Sequence, residues 1–192
     1  VLVVPEQQPF KSVKELVDYA KANPGKPYGT FGNATTSHLY GELLKKNAGI
    51  DVTHVPYRGS APRTNDLLNN TVTWAFQDLT TAGAQIKAGK LRALAVGGEK
   101  RRKAMPDVPT MAEAGLTGYE SATNYTLFAP ARTPADVIEK LNRETNAVLK
   151  MPEVVEKLAS LGIVIVGGTT QQAQARVPTE VNKWADVIRK GN

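Results

Sequence analysis

Tyr28-Gly29-Thr30-Phe31-Gly32-Asn33-Ala34-Thr35-Thr36-Ser37-His38-Leu39 is the stretch on which the fold turns. A short strand-like run, Tyr28 to Phe31, breaks at Gly32-Asn33 into three consecutive hydroxyl residues, after which Leu39, Leu43 and Leu44 give a helix its buried side. This is a strand delivered through a turn into a helix. Upstream, Val1 to Val4 reads as a buried strand, Ser12 and Glu15 form a capping box ahead of Val13, Leu16, Val17 and Ala20, and Asn23-Pro24-Gly25 stops that helix. Downstream, Val52 to Val55 is a strand, Ser60 caps a helix with Pro62 in its first turn, and Val72 to Phe76 is a strand. Leu79 to Ala88 is then a helix and Leu91 to Val96 a strand. This βαβα alternation predicts an α/β fold with a largely parallel sheet, in which ligands bind beyond the carboxyl ends of the strands.

Beyond residue 96 the pattern loosens. Gly97 to Pro109 is a charged loop, with a short helix expected around Thr110 to Ala114. Tyr125 to Phe128 and Ile163 to Val166 read as strands. Thr133-Pro134 opens a helix carrying Val137, Ile138, Leu141, Val148 and Leu149, and Met151-Pro152 separates it from a helix over Val154 to Leu161. Ala173, Val177, Val181, Trp184 and Ile188 mark a terminal helical region that Pro178 is expected to kink or split.

Composition narrows the function classes. The 192 residues are 41% hydrophobic, which suits a packed core, and no apolar run approaches the roughly 20 residues of a membrane helix. With no Cys, thiolate metal sites, disulfides and cysteine nucleophiles are excluded. The net charge of +6 is spread along the chain, and Lys100 to Lys103 reads as a solvated loop, so no basic face for nucleic acid is expected. No dinucleotide, Walker, zinc-protease or nucleophile-elbow motif is present, and no base, nucleophile and oxyanion group can be assembled. The expectation is a binding protein, not an enzyme, with no cofactor and no metal.

Gly32, Asn33, Thr35, Thr36, Ser37 and His38 are the strongest candidates for ligand binding. A strand ending in Gly-Asn and feeding a hydroxyl-rich helix start exposes N–H groups suited to a carboxylate, although plain N-capping by Thr35 or Thr36 would use the same residues. Gln77 and Asp78 follow the next strand end and reach the same groove, Asp78 serving either there or as a cap for Leu79 onward. His54, alternating with Val52 on its strand, reads as structural.

Several longer runs carry a family resemblance: Gly32-Asn33 through Thr35 to His38-Leu39, Gly41-Glu42, Thr53-His54-Val55-Pro56-Tyr57-Arg58-Gly59-Ser60-Ala61-Pro62, Ile86 to Val96, and Pro106-Asp107-Val108-Pro109-Thr110 with Ala112 to Gly115. The sequence resembles the extracytoplasmic solute receptors of tripartite tricarboxylate transporters, the Bug receptors, over nearly its whole length. The resemblance implies a type II periplasmic-binding-protein-like fold in which two α/β lobes clamp a small carboxylate for the transporter's membrane subunits. It further implies that residues 5–122 are a complete second lobe, with 1–4 and 123–192 as hinge strands and the C-terminal part of the first. The rest of the first lobe would lie outside the sequence, leaving half a site and a surface through which two copies could pair. The alternative is the effector-binding domain of a transcriptional regulator, which is similar in architecture.

Overall fold

The computed structural model describes residues 1–119 and 124–191. The chain divides into two compact units, Val1–Thr123 with Lys190–Asn192, and Asn124–Arg189.

The first unit is a five-stranded sheet flanked by helices. Its elements are β1 (Leu2–Pro5), α1 (Val13–Ala22), β2 (Lys26–Thr30), α2 (Thr36–Ala48), β3 (Val52–Pro56), α3 (Ser60–Leu68), β4 (Trp74–Phe76), α4 (Leu79–Lys87) and β5 (Leu91–Ala95). The strand order is β3-β2-β4-β1-β5. β2 runs parallel to both β3 and β4, whereas β1 is antiparallel to both β4 and β5. The largely parallel sheet expected from the alternation is thus present with one reversed strand set inside it.

Side-chain alternation along the strands builds two cores. On one face Tyr28 stacks on Trp74 with ring centroids 4.5 Å apart, and Tyr40 of α2 packs against Phe76 and Tyr119. On the other, Val3, Ala75 and Leu91 meet Leu67 of α3 and Ala82 of α4. α2 therefore covers one face, and α3 and α4 the other. α2 lies so close to β2 that a Cβ on Gly41 would fall 2.2 Å from Tyr28 Cε2. Ser12 caps α1 as expected, its Oγ accepting from Glu15 N, but the Glu15 carboxylate reaches one residue past the cap, accepting from Lys11 N at 2.7 Å, so the reciprocal half of the box is shifted.

Some boundaries differ from expectation. Ser60 is the first helical residue of α3, and Gly59 is its N-cap. Leu39 is half-buried, the buried side of α2 being Ser37, Tyr40, Gly41, Leu43 and Leu44. Around Thr110 a single turn forms instead of a helix. Its ends are closed by Thr110 N to Glu113 Oε2 at 2.7 Å and Glu113 N to Thr110 Oγ1 at 3.1 Å. Arg101 of the basic run is tied to Glu113 in the same loop.

The second unit holds α5 (Ala135–Val148), α6 (Pro152–Ser160) and α7 (Thr170–Gly191). Pro178 does not split α7, which continues through it for 22 residues. Two expected strands are corrected: residues 125–128 and 163–166 have no regular structure. A strand exists only by pairing, and within this unit no described segment offers a ladder to either. Instead the 163–169 segment is tied to α5 at its far end. Asn142 and Asn146 donate to the Gly168 carbonyl at 3.1 and 2.9 Å, and Gly168 N donates to Asn146 Oδ1. Val164 and Val166 are 70% and 75% exposed, and Leu127 and Phe128 are exposed as well. No helix among the described residues is long and apolar enough to cross a membrane.

Candidate functional site

Within the first unit, the carboxyl ends of β2 and β4 lie side by side, since Tyr28 pairs with Trp74 and Gly29 with Ala75. From β2 the chain turns onto the face covered by α2, and from β4 onto the face covered by α4. The two loops thus depart in opposite directions and flank the position where an open α/β sheet usually takes its ligand. The β2–α2 loop, Gly32 to Thr35, forms one rim together with the first turn of α2; Gln77 and Asp78 form the other.

The first rim is folded onto itself by its own hydroxyls. Thr35 Oγ1 donates to the Gly32 carbonyl at 2.8 Å and lies 3.0 Å from Ser37 Oγ, which accepts from Phe31 N at 3.0 Å. Ala34, at φ 58°, adopts a left-handed conformation and donates its N–H to His38 Nδ1 at 3.1 Å. Asn33 is exposed, Ser37 is buried, and Gly32, Thr35, Thr36 and His38 are half-buried. Thr35 is the N-cap residue of α2, yet its side chain makes no bond to the helix N–H groups. The hydroxyls hold the loop and do not cap the helix. The first intrahelical bond is Leu39 N to Thr35 O, so the N–H groups of Thr36, Ser37 and His38 precede the ladder, where an anion is favoured.

On the second rim Gln77 is buried. Its backbone N–H bonds Val1 O at 2.8 Å, and its Oε1 accepts from Thr81 Oγ1 at 3.4 Å. Its Nε2 has no hydrogen-bond partner. Asp78 is half-buried at the N-cap of α4 and makes no side-chain capping bond there.

The structure adds two features that pattern reading passed over. His54 stacks on His38 with centroids 4.0 Å apart and lies 2.7 Å from Thr30 Oγ1. Burial, reinforced by the neighbouring His38, holds the His54 pKa below the ordinary histidine value. Beside this pair Glu42 accepts from the Tyr28 hydroxyl at 2.6 Å and pairs with Lys45 at 3.0 Å. Burial opposes its ionisation, but those two partners outweigh it and hold the carboxyl below its usual range. A histidine with a depressed folded-state pKa binds fewer protons folded than unfolded. Its share of stability is therefore present above about pH 6.5 and is lost as the pH falls through the folded value. Melting temperature should accordingly drop between pH 7.5 and 5, less steeply in His54→Gln; parallel profiles would remove His54 from the acid response.

The second feature is Arg63, in the first turn of α3 and entirely buried. The available signal was its spacing: four residues before Leu67, it shares the buried face of α3, where a charge is out of place.

Two surface grooves among the described residues lie elsewhere. One of about 210 Å³ is lined by Val13, Val17, Ala48 and Leu116 among others, and one of about 320 Å³ by Lys11, Leu94, Pro109 and Ala114 among others. Neither includes a candidate residue.

An open α/β sheet with helices on both faces and a helix N-terminus at its switch point places the first unit in the α/β class. Within that class the family is specific. The chain belongs to the tripartite tricarboxylate transporter family receptors, whose family model matches residues 1–192. The UPF0065 protein in the tcbD-tcbE intergenic region of Pseudomonas sp. strain P51 is 39% identical over 190 residues, covering 98% of this chain and 56% of that protein. Among solved structures, R. palustris Rpa4515 with adipate matches 100% of the chain and 64% of its own, at TM-score 0.94 and 35% identity. The periplasmic binding protein BugD matches 99% of the chain and 64% of its own, at TM-score 0.90 and 32% identity. The chain thus spans less than two thirds of each of these relatives.

Proposed function

We propose that this chain contributes one side of the cleft of a periplasmic solute receptor that captures a small carboxylate for a tripartite tricarboxylate-type transporter. In this reading residues 5–122 are one lobe, and 1–4 and 123–192 are the hinge strands and C-terminal part of the other. Gly32, Asn33, Thr35, Thr36, Ser37 and His38 form the cradle, the N–H groups of Thr36 to His38 donating to the carboxylate. Gln77 and Asp78 meet the ligand from the neighbouring strand end, Asp78 accepting from a ligand hydroxyl, amine or bridging water. Hinge closure over the ligand then presents the loaded form to the membrane subunits.

The observation that carries this reading is the self-bonded 32–37 loop. Its hydroxyls are spent on the loop itself, so the first N–H groups of α2 are left for an acceptor at the switch point. The adipate in the R. palustris relative supports the ligand class. The test is a thermal-shift and calorimetric screen of mono-, di- and tricarboxylates on the protein carrying this sequence. A carboxylate that raises the melting temperature in proportion to its occupancy is expected. A response confined to amines or sugars would overturn the proposal.

A further inference from the structure

His38 and His54 stack with ring centroids 4.0 Å apart and 13° between their planes, and each ring reaches one end of the turn that forms the first rim. His54 Nε2 lies 2.7 Å from Thr30 Oγ1, which accepts from Gly32 N at 3.1 Å. His38 Nδ1 accepts from Ala34 N at 3.1 Å. A ring nitrogen that accepts carries no proton, so the His38 bonded in this way is the neutral imidazole with its hydrogen on Nε2. That nitrogen lies 3.9 Å from Glu42 Oε1. Around the pair stand Glu42 and Lys45 of α2 and Tyr28 of β2, whose ring centroid is 5.3 Å from that of His54.

A proton added at Nδ1 turns this acceptor into a donor. Two N–H groups then face each other where one bond stood, and the Ala34 N–H loses its partner. Ala34 is poorly able to hold its place alone, because at φ 58° it is left-handed, a conformation unfavourable to a residue with a Cβ. It directly precedes Thr35, the N-cap residue of α2, so its release slackens the approach to the N–H groups of Thr36 to His38. The new charge does not offset this. Glu42, held ionised by the Tyr28 hydroxyl at 2.6 Å and Lys45 at 3.0 Å, neutralises an imidazolium 3.9 Å away and leaves little field for a ligand anion. Two stacked imidazolium rings repel, and burial already holds His54 below the ordinary histidine range, so a proton entering the pair is left to His38, beside Glu42.

We infer that His38 is a positioning residue whose neutral ring latches the 32–37 turn through Ala34, so that uptake of one proton releases the turn and weakens capture of a carboxylate as the pH falls. The inference rests on the carboxylate-cradle reading above: the α2 N-terminus supplies the N–H groups, and the His38 side chain sets whether they are held in place.

Calorimetry with adipate at pH 8 and pH 5.5, which bracket the reference histidine value of about 6.5, tests it on the protein carrying this sequence and on three variants. In the unaltered protein the adipate dissociation constant should rise about three- to tenfold at pH 5.5, the worth of one neutral hydrogen bond. Without ligand, its Ala34 amide resonance should move with the same midpoint as the His38 ring. His38→Asn offers an acceptor close to the place of Nδ1 that cannot titrate, and its ratio should stay within about twofold, the part due to protonation of adipate itself. His38→Ala, lacking the acceptor, should show an equally flat ratio and bind more weakly than His38→Asn at pH 8. His54→Phe keeps the stack and should keep the fall in affinity. A purely structural histidine would give the unaltered protein the same ratio as His38→Asn. That result with adipate bound at pH 8, tighter binding at pH 5.5, or an Ala34 amide indifferent to pH overturns the inference and leaves the cradle standing. A fall lost in His54→Phe and kept in His38→Asn overturns it as well. Absence of adipate binding to the unaltered protein at both pH values overturns both readings.

Discussion

Gly41→Ala is expected to destabilise the first unit by roughly 1–3 kcal/mol, the usual range for overpacking a filled core. The new methyl would lie 2.2 Å from Tyr28 Cε2 and 2.8 Å from its hydroxyl oxygen, so the ring or the helix must move. The ring is poorly placed to yield, being fully buried, stacked on Trp74 at 4.5 Å and anchored through its hydroxyl to Glu42 at 2.6 Å. The helix must then back away from β2, carrying its first turn and the cradle with it. Gly83→Ala in α4 is the matched control, since nothing lies within 4 Å of its added methyl. There the loss of unfolded-chain freedom should stabilise by about 0.4–1 kcal/mol. Urea titration of both variants checks the pair. Equal midpoints would show that α2 and β2 are not held in the close register described.

The sequence made the alternation of the first unit readable because each element carries its own local signal: a capping box at Ser12 and Glu15, a stop at Asn23-Pro24-Gly25, a β-rich run at Tyr28. The reversal of β1 has no such signal, since direction is a property of pairing with β4 and β5, residues more than 70 positions away. The same physics explains the failures at 125–128 and 163–166. Apolar, β-branched runs state a preference for burial and extension, but only a neighbouring ladder turns that preference into a strand. At the candidate site the Gly32 to His38 turn was legible as a helix start. Which of its groups remain for a ligand was not, because that depends on Thr35 Oγ1 choosing the Gly32 carbonyl over a helix N–H. Arg63 stayed hidden for a related reason. Its helical spacing marked it for burial, but only the fold brings it between Phe31 and Phe76.

Thr36→Pro is expected to weaken carboxylate binding by roughly tenfold to more than a hundredfold, the worth of one hydrogen bond of 1.5–3 kcal/mol to a charged acceptor. Thr36 is the first residue of α2, the position at which proline is best tolerated because the missing N–H has no intrahelical partner. The residue before it already has the extended conformation that a following proline demands, Thr35 lying at φ −79° and ψ 162°. The helix should therefore form as before, with a melting temperature close to that of the unaltered protein, while one donor disappears from the rim. Thr36→Ala separates that donor from the hydroxyl, since it keeps the N–H and removes only the Oγ1. Calorimetry on both variants with the best-binding carboxylate should show affinity falling in Thr36→Pro and held within about threefold in Thr36→Ala, a margin under 1 kcal/mol. If both bind as tightly as the original, the N-terminus of α2 is no part of the site, and the carboxylate is held by other groups.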